Sequence, residues 1–497
     1  MKHPAAREHS PDVSQRLLLA VIAAGAALRF LMLGRQSFWY DEAVSAQFAA
    51  ASVADLVTGR VHDLGNPPLH GILLSLWSRI FGPGDASLRA LSATAGVAAI
   101  PVLHDVARRL VGGRVAIVAA ALLALSPLQV YFAQEARTYA LVTLLVLGSM
   151  ALLLRLVEFP RRTLLWVAYG LTVFLAMYAH YFSAFAILAQ LVWVLSQHRS
   201  NRALVGRLFA ALVGAGLLYG VWLPVLIAQA TTKGNLARAA DTWYLHIMST
   251  PLVFGVGTTL LWKETVTPLR LGASALAVIA FTGAALLGVR ALWAKRQALV
   301  LVLAWLLFPV LFPLLISLAL FPFFYVRYAL LATPAFCILV AAGLCHVARG
   351  PRLALIAGIA VPSALSLFFY FTTLVKHDWR SVEAWVTARA KPGDVQAFDA
   401  DIGETTFAHY AGPDDARIRL VPPANPDDTH FFGVSPKFGK ASVMDPRLYN
   451  ASRVWFVYSD PKVGAGTYYS TLFGQGFRLA ESHAFRGVQV FLYEPRH

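Results

Sequence analysis

The stretch Asn66–Phe81, NPPLHGILLSLWSRIF, decides how the chain is threaded. Its apolar part, Pro67–Phe81, has 15 residues and opens on two prolines. A helix needs about 20 apolar residues to cross a bilayer, and proline suits a helix's first turn rather than its interior. The run therefore reads as a helix lying along the membrane surface. Charge leads to the same reading. Lys and Arg gather at Arg108–Arg109 with Arg114, at Arg161–Arg162, at His198–Arg199 with Arg202, at Lys295–Arg296, and at Arg349 with Arg352. If these clusters and the N-terminus are cytoplasmic, a first helix at about 16–34 runs outward and Asp41 lies outside. An odd number of crossings must then separate Asp41 from Arg108. Of the two apolar runs between them, only the second, about Ser87–Leu103, spans. If both did, Arg108, Arg109 and Arg114 would face outside.

Working outward, the further spans fall at about 114–131, 136–157, 163–180, 182–197, 204–230, 270–289, 298–320, 327–347 and 353–375, about eleven in all. The chain is 58% hydrophobic and 14% charged, with mean hydropathy +0.61. That composition excludes an ordinary soluble protein, and the long apolar runs exclude an outer-membrane barrel of short alternating strands. The net charge of +16 would suggest nucleic acid in a soluble chain. Here cytoplasmic loops account for it, and no nucleic-acid partner is expected. The N-terminal segment 1–15 reads as a cytoplasmic tail before a retained first helix. Residues 16–375 read as the membrane domain. After about Lys376, apolar runs shorten to strand length. DVQAFDA, RVWFVYS and GVQVFLYEP read as strands, while DWRSVEAWVTARA and the region near Ile402–Tyr410 read as helices. Residues 376–497 are thus expected to form a small extracytoplasmic α/β domain. The loop Thr231–Leu269, with DTWYLHIM and WKETVTP, reads as part helical and interfacial. Cys337 and Cys345 lie two turns apart in one helix, too far for a disulfide.

Ionisable groups near hydrocarbon are costly and mark functional interiors. The polar residues at the outer ends of apolar runs are Asp41 and Glu42; His62, Asp63, Asn66 and His70; Gln134, Glu135, Arg137 and Tyr139; His180 and Tyr181; and Tyr325, Arg327 and Tyr328. Each group has a structural alternative. Asp41–Glu42 could cap the helix that follows. Gln134–Arg137 could form a turn with a Glu135–Arg137 ion pair, and Arg327 could snorkel to the interface. His62 and His70 could be structural. Taken together they describe one outer-face site with a carboxylate base and at least one guanidinium able to grip a phosphate. Asp41, Glu42, His62 and Asp63 are of types that ligate a divalent metal, but their spacing matches no ligand pattern. No metal or other cofactor is expected.

FWYDEA, NPPLHGILLSLW, ALSPLQVYFAQEARTYAL, YAHYFSAFAIL and RYALLATPAFCILVAAGL, in this order over about residues 16–375, resemble the bacterial GT-C glycosyltransferases. They are most similar to the branch related to protein O-mannosyltransferases and the lipid A aminoarabinose transferase. The resemblance implies a polytopic helical enzyme of the inner membrane, with juxtamembrane helices in its first outer loop. It implies a polyprenyl-phosphate sugar donor, typically undecaprenyl-linked, and a lipid, glycan or protein acceptor. Asp41 and Glu42 match the family's Asp–Glu motif. Asp41 is expected as general base, with Glu42 orienting the acceptor or supporting Asp41. Arg327, Arg137, Tyr328 and His70 are expected at the donor phosphate. Glu135 is expected to hold Arg137. Gln134, Tyr139, His62, Asp63, His180 and Tyr181 are expected as acceptor, sugar or supporting contacts. Two departures stand out: Asn66-Pro67-Pro68-Leu69-His70 replaces a common His-Pro-Pro-Leu-Tyr, and Val326 replaces a Glu common before the Arg–Tyr pair. The competing classes are a diphosphate-linked glycan ligase or polymerase, and a lipid transporter or flippase. The second predicts broken mid-membrane helices or internal repeats, which the sequence does not show.

Overall fold

In a computed structural model, residues 11–63, 65–231, 243–261, 267–319, 324–373, 376–399, 401–412, 418–420, 451–459 and 476–496 are described. Most of the N-terminal tail and parts of the expected outer loop, 232–242 and 262–266, lie outside them. Among the described residues, eight helices are long and apolar enough to cross a membrane. A ninth span results if Gly113–Leu125 and Pro127–Ala133, bent by 55°, are taken together. Thr163–Ala179 and Ser183–Gln197 are shorter apolar helices that turn at His180, as is Leu69–Phe81. Leu69–Phe81 starts just after Pro67–Pro68 and packs against Tyr40–Ala50.

The break at Ser126 has a local cause. Ser126 accepts from Gln129 N at 3.3 Å and Pro127 opens the next helix, so the backbone restarts there. The last carbonyls of Gly113–Leu125 are left without helical donors. The buried Arg29, from the first helix Pro11–Phe30, supplies them, donating to Ala124 O at 2.8 Å and Leu123 O at 3.0 Å. The segment expected as one span from 327 is also two pieces: a 3₁₀ stretch Val326–Ala332, then the helix Thr333–His346. That helix crosses Pro268–Leu292 at Gly288 and Gly343. A methyl group on Gly288 would come within 1.9 Å of Leu339 O, and one on Gly343 within 1.9 Å of Ala284 O. Only glycine permits this approach of two helices.

The C-terminal part carries a five-stranded sheet of order β2-β1-β3-β5-β4. Its strands are β1 (Asp394–Phe398), β2 (Ile418–Leu420), β3 (Arg453–Tyr458), β4 (Phe477–Phe485) and β5 (Val488–Pro495). β1 is buried along its whole length and pairs in parallel with β2 and β3. β5 lies antiparallel to both β3 and β4. Helices Trp379–Thr387 and Asp401–Ala411 flank the sheet, and Trp379, Phe398, Phe407 and Trp455 fill the core between them. Strands β1, β3 and β5 and both helices coincide with the sequence expectation. β2 and β4 were not expected: β2 has three residues, and β4 is mostly exposed and carries Arg, Glu, Ser and His along its length.

The sheet domain is joined to the helix bundle through Asp85, the first residue of Asp85–Val111. Its carboxylate receives Tyr410 OH at 2.7 Å and Arg380 Nη2 at 2.7 Å, and lies 3.0 Å from His409 Nε2. Tyr410 OH also accepts Phe38 N at 2.6 Å.

Candidate active site

Asp41 sits in the first turn of Tyr40–Ala50 and is buried. Two guanidiniums from distant parts of the chain approach it. Arg327 Nη1, from the 3₁₀ stretch, is 3.5 Å from Asp41 Oδ2. Arg137 Nη2, from the loop after Pro127–Ala133, is 4.0 Å from the same oxygen. Arg137 also donates to the backbone carbonyl of Asp41 at 3.1 Å and to Ser45 Oγ at 3.3 Å. Its Nη2 is 3.3 Å from Asp63 Oδ2. Two acids and two arginines thus form a balanced cluster. The arginines differ in access: the Arg327 side chain is 27% exposed and that of Arg137 only 6%. Arg327 can meet an incoming anion, while Arg137 is committed to Asp41 and Asp63.

Aromatic groups wall the cluster. Tyr328 stacks on Phe182 at 4.5 Å, and the Arg327 guanidinium lies 5.0 Å from the Tyr325 ring and 5.7 Å from that of Tyr328. The His180 ring is 5.9 Å from both Tyr139 and Tyr328, and its Nδ1 accepts Phe182 N at 3.1 Å. A cleft beside Arg137 is bordered by Ser45, His62, Asp63, Asn66 and His70. His70 Nε2 is buried there with no hydrogen-bond partner among the described residues. Burial, and then the charge of Arg137, lower the His70 imidazole to about 3, so it is neutral near pH 7. Asp63 is held by its own loop, accepting Gly65 N at 2.8 Å and Asn66 Nδ2 at 3.1 Å. His62 bonds locally to Gly59 O at 2.8 Å. Tyr181 lies one layer out. It donates to Gln229 Oε1, and Gln229 in turn donates to Asp63 O at 2.7 Å.

One expected contact is corrected and two roles are narrowed to support. Glu42 is completely buried, and both its oxygens are occupied by other parts of the protein. It receives Arg89 Nε at 2.7 Å, Arg89 Nη2 at 2.8 Å, Lys376 Nζ at 2.7 Å and Ala136 N at 2.9 Å. Burial alone would raise its carboxyl, but Arg89 and Lys376 outweigh this and hold it below the usual carboxylate range. A carboxylate with four donors has no free lone pair to orient an acceptor, so Glu42 positions its neighbours, Asp41 in the same helix turn and Arg137 beside Ala136. Glu135 does not pair with Arg137. It faces Lys376 Nζ at 3.3 Å, and burial raises its carboxyl. Gln134 is structural as well: its amide bonds the carbonyls of Leu28, Arg29 and Leu31 at the end of the first helix and accepts Tyr370 OH at 2.9 Å. The set Asp41, Glu42, His62 and Asp63 is therefore not assembled around one point. Among the described residues no three of His, Cys, Asp or Glu are grouped as metal ligands.

Arg89 and Lys376 are functional supports that the sequence reading passed over. Arg89 had a signal, a charge inside an apolar run. Lys376 had none, standing where the composition changes.

The dolichyl-phosphate-mannose-protein mannosyltransferase family model matches residues 65–227. No curated protein sequence matches the chain. Among solved structures, ArnT from Cupriavidus metallidurans in the apo state aligns with TM-score 0.63 at 15% identity, covering 97% of this chain and 98% of that one. The chain has the GT-C fold. ArnT from Cupriavidus metallidurans bound to undecaprenyl phosphate aligns at TM-score 0.59 and 16% identity, over 97% and 98% of the two chains. The apo oligosaccharyltransferase of Archaeoglobus fulgidus aligns at 0.53 and 12% identity, over 83% of this chain and 65% of that one. In this GT-C fold, the first loop after the first helix carries Asp41 and three short helices, Tyr40–Ala50, Val53–Val57 and Leu69–Phe81.

Proposed function

We propose that this chain is an inverting glycosyltransferase. It transfers a hexose or pentose from a polyprenyl phosphate, of the undecaprenyl type, to a hydroxyl of a lipid, glycan or protein. The reaction takes place at the outer face of a bacterial inner membrane. Residues 16–375 form the catalytic unit and 376–497 the outer domain. The observation that carries the reading is the buried Asp41 carboxylate 3.5 Å from the more accessible guanidinium, Arg327. The family model, which describes a polyprenyl-phosphate mannosyl donor, and the fold shared with an ArnT bound to undecaprenyl phosphate support it.

In this mechanism the acceptor oxygen attacks the anomeric carbon as the bond from that carbon to the phosphate oxygen breaks. Asp41 takes the hydroxyl proton, and the sugar passes through an oxocarbenium-like state. The charge gathering on the leaving phosphate is met by Arg327. Arg137 fixes the carboxylate from its backbone side, and His70 and His180 contact donor or sugar hydroxyls. No divalent metal enters the scheme.

The test is purified protein in lipid nanodiscs, given sugar-loaded undecaprenyl phosphate and an envelope extract as acceptor. Free undecaprenyl phosphate should appear, and Asp41→Asn should slow its release by about 10²–10⁴-fold, the usual contribution of a general base, without loss of folded protein. Wild-type release in that variant removes Asp41 as base. Movement of intact donor across a bilayer without release of the sugar would instead identify a transporter.

A further inference from the structure

A second feature runs along the bundle. A groove of about 650 Å³ opens between Pro11–Phe30, Gly113–Leu125, Thr333–His346 and Arg349–Thr372. Its walls are apolar, including Phe254, Phe281 and Phe336 at one end. The other end is basic: Arg114 and Arg352 line it, on either side of the last turn of Thr333–His346. Cys345 Sγ in that turn contacts Arg114 O at 3.9 Å, and Arg352 Nε donates to Leu344 O at 2.8 Å. The Arg114 side chain is exposed and makes no hydrogen bond or ion pair with a described residue. Lys and Arg at a span end answer the positive-inside pattern. That pattern does not explain why two of them converge on the mouth of a deep apolar slot.

We infer that this groove is a binding site for an anionic phospholipid of the cytoplasmic leaflet. Its headgroup phosphate sits at Arg114 and Arg352, and one acyl chain runs toward Phe254 and Phe336. Charge and shape both select this occupant. A zwitterionic lipid gains no net attraction from two arginines, whereas each cation near an anionic surface contributes about 1 kcal/mol, roughly a fivefold preference. The donor's phosphate, which must lie by Asp41, is not the anion for these two arginines: helix Arg349–Thr372 separates Arg352 from Tyr370, which bonds the Gln134 loop, by about 27 Å at 1.5 Å per residue.

The chain's two cysteines, Cys337 and Cys345, both line the groove, so occupancy can be read directly. The protein carrying Cys337→Ala is reconstituted in vesicles of phosphatidylcholine alone or with added phosphatidylglycerol, and Cys345 is alkylated with a membrane-permeant maleimide. Phosphatidylglycerol should slow alkylation by up to about tenfold, the factor expected for a ligand at ten times its dissociation constant. Native mass spectrometry should show the anionic lipid retained. Arg114→Gln should cut that preference about fivefold while leaving the melting temperature and sugar transfer unchanged. Equal protection by phosphatidylcholine, or a preference unaffected by Arg114→Gln, overturns the assignment. So does protection by undecaprenyl phosphate that ignores Arg114, which would give the groove to the donor tail.

Discussion

Replacing Lys376 with Met should destabilise the protein strongly, and lowering the pH or removing Glu135 should repair part of the damage. Lys376 Nζ is 2.7 Å from Glu42 Oε2 and 3.3 Å from Glu135 Oε1, with all three side chains buried. At an effective dielectric of about 20, these separations correspond to about 6 and about 5 kcal/mol of gross attraction. Desolvation of the ammonium offsets much of that, so the net loss on removing the cation is about 3–5 kcal/mol, the range for breaking a buried pair. Glu42 keeps Arg89; Glu135 keeps no cation among the described residues. The sign with pH follows. Burial already holds the Glu135 carboxyl above its unfolded value, and loss of Lys376 raises it further. The ionised form then penalises the folded state at high pH, and the penalty is relieved as pH falls through the raised folded value. Thermal melts in detergent should therefore show a larger deficit for Lys376→Met at pH 8 than at pH 5.5. Glu135→Gln added to Lys376→Met should recover stability, with a coupling energy of about 1–3 kcal/mol in the double-mutant cycle. A deficit below about 0.5 kcal/mol, the range of ordinary surface substitutions, would refute the reasoning. A deficit that does not change with pH and is not relieved by Glu135→Gln would do the same.

The two site arginines should separate by assay. Arg327→Gln should weaken donor binding and transfer with little change in melting, because its side chain is partly exposed. Arg137→Gln should cost about 3–5 kcal/mol of stability, since it removes the cation facing the half-buried Asp63 and leaves the buried Asp41 with Arg327 alone; equal melting of the two variants would contradict the division. Tyr410→Phe removes a hydroxyl that joins Asp85 to Phe38 N. It should lower the melting temperature by the equivalent of about 1–3 kcal/mol, the cost of orphaning buried partners, and make hydrogen exchange faster in helix Asp401–Ala411. Unchanged exchange there would mean the hydroxyl does not secure the domain.

How far the sequence carried depends on what kind of order each feature has. The spans were legible because burial in lipid demands long apolar runs, whatever their packing partners. The short prolinated helix was legible from its two opening prolines and apolar run, and it appears as Leu69–Phe81. Strands β1, β3 and β5 were legible from their apolar residues; β4, FRLAESHAF, is recruited by pairing with β5 and has no such signature. At the site, Asp41, Arg137, Asp63 and Arg327 come together as the composite reading required. The pairing inside it was not legible. Glu135 stands two residues from Arg137, yet its partner is Lys376, and Glu42's partners are Arg89 and Lys376. Those choices are made between elements 47 and 334 residues apart in sequence, and no local pattern encodes them.

The arrangement also suggests an order of events. In the proposed mechanism Asp41 is engaged until the donor arrives: its Oδ2 faces Arg327 at 3.5 Å and Arg137 at 4.0 Å. Arg137 cannot leave, since it also bonds Asp41 O, Ser45 and Asp63. Arg327 can, being the more exposed and held to Asp41 by one long contact. A lipid phosphate brings charge-assisted bonds stronger than that contact, so it draws Arg327 away and releases Asp41 toward the acceptor hydroxyl. Donor binding and activation of the base are then one event, which keeps the base idle toward water until a sugar is present. Kinetically this requires acceptor-side turnover to depend on prior donor binding. In Arg327→Lys, whose point charge cannot span both groups as a guanidinium does, donor affinity should fall more than the rate of the chemical step. An Arg327→Lys enzyme with unchanged donor affinity and a slowed chemical step would show that Arg327 never leaves Asp41, and the release step would have to be abandoned.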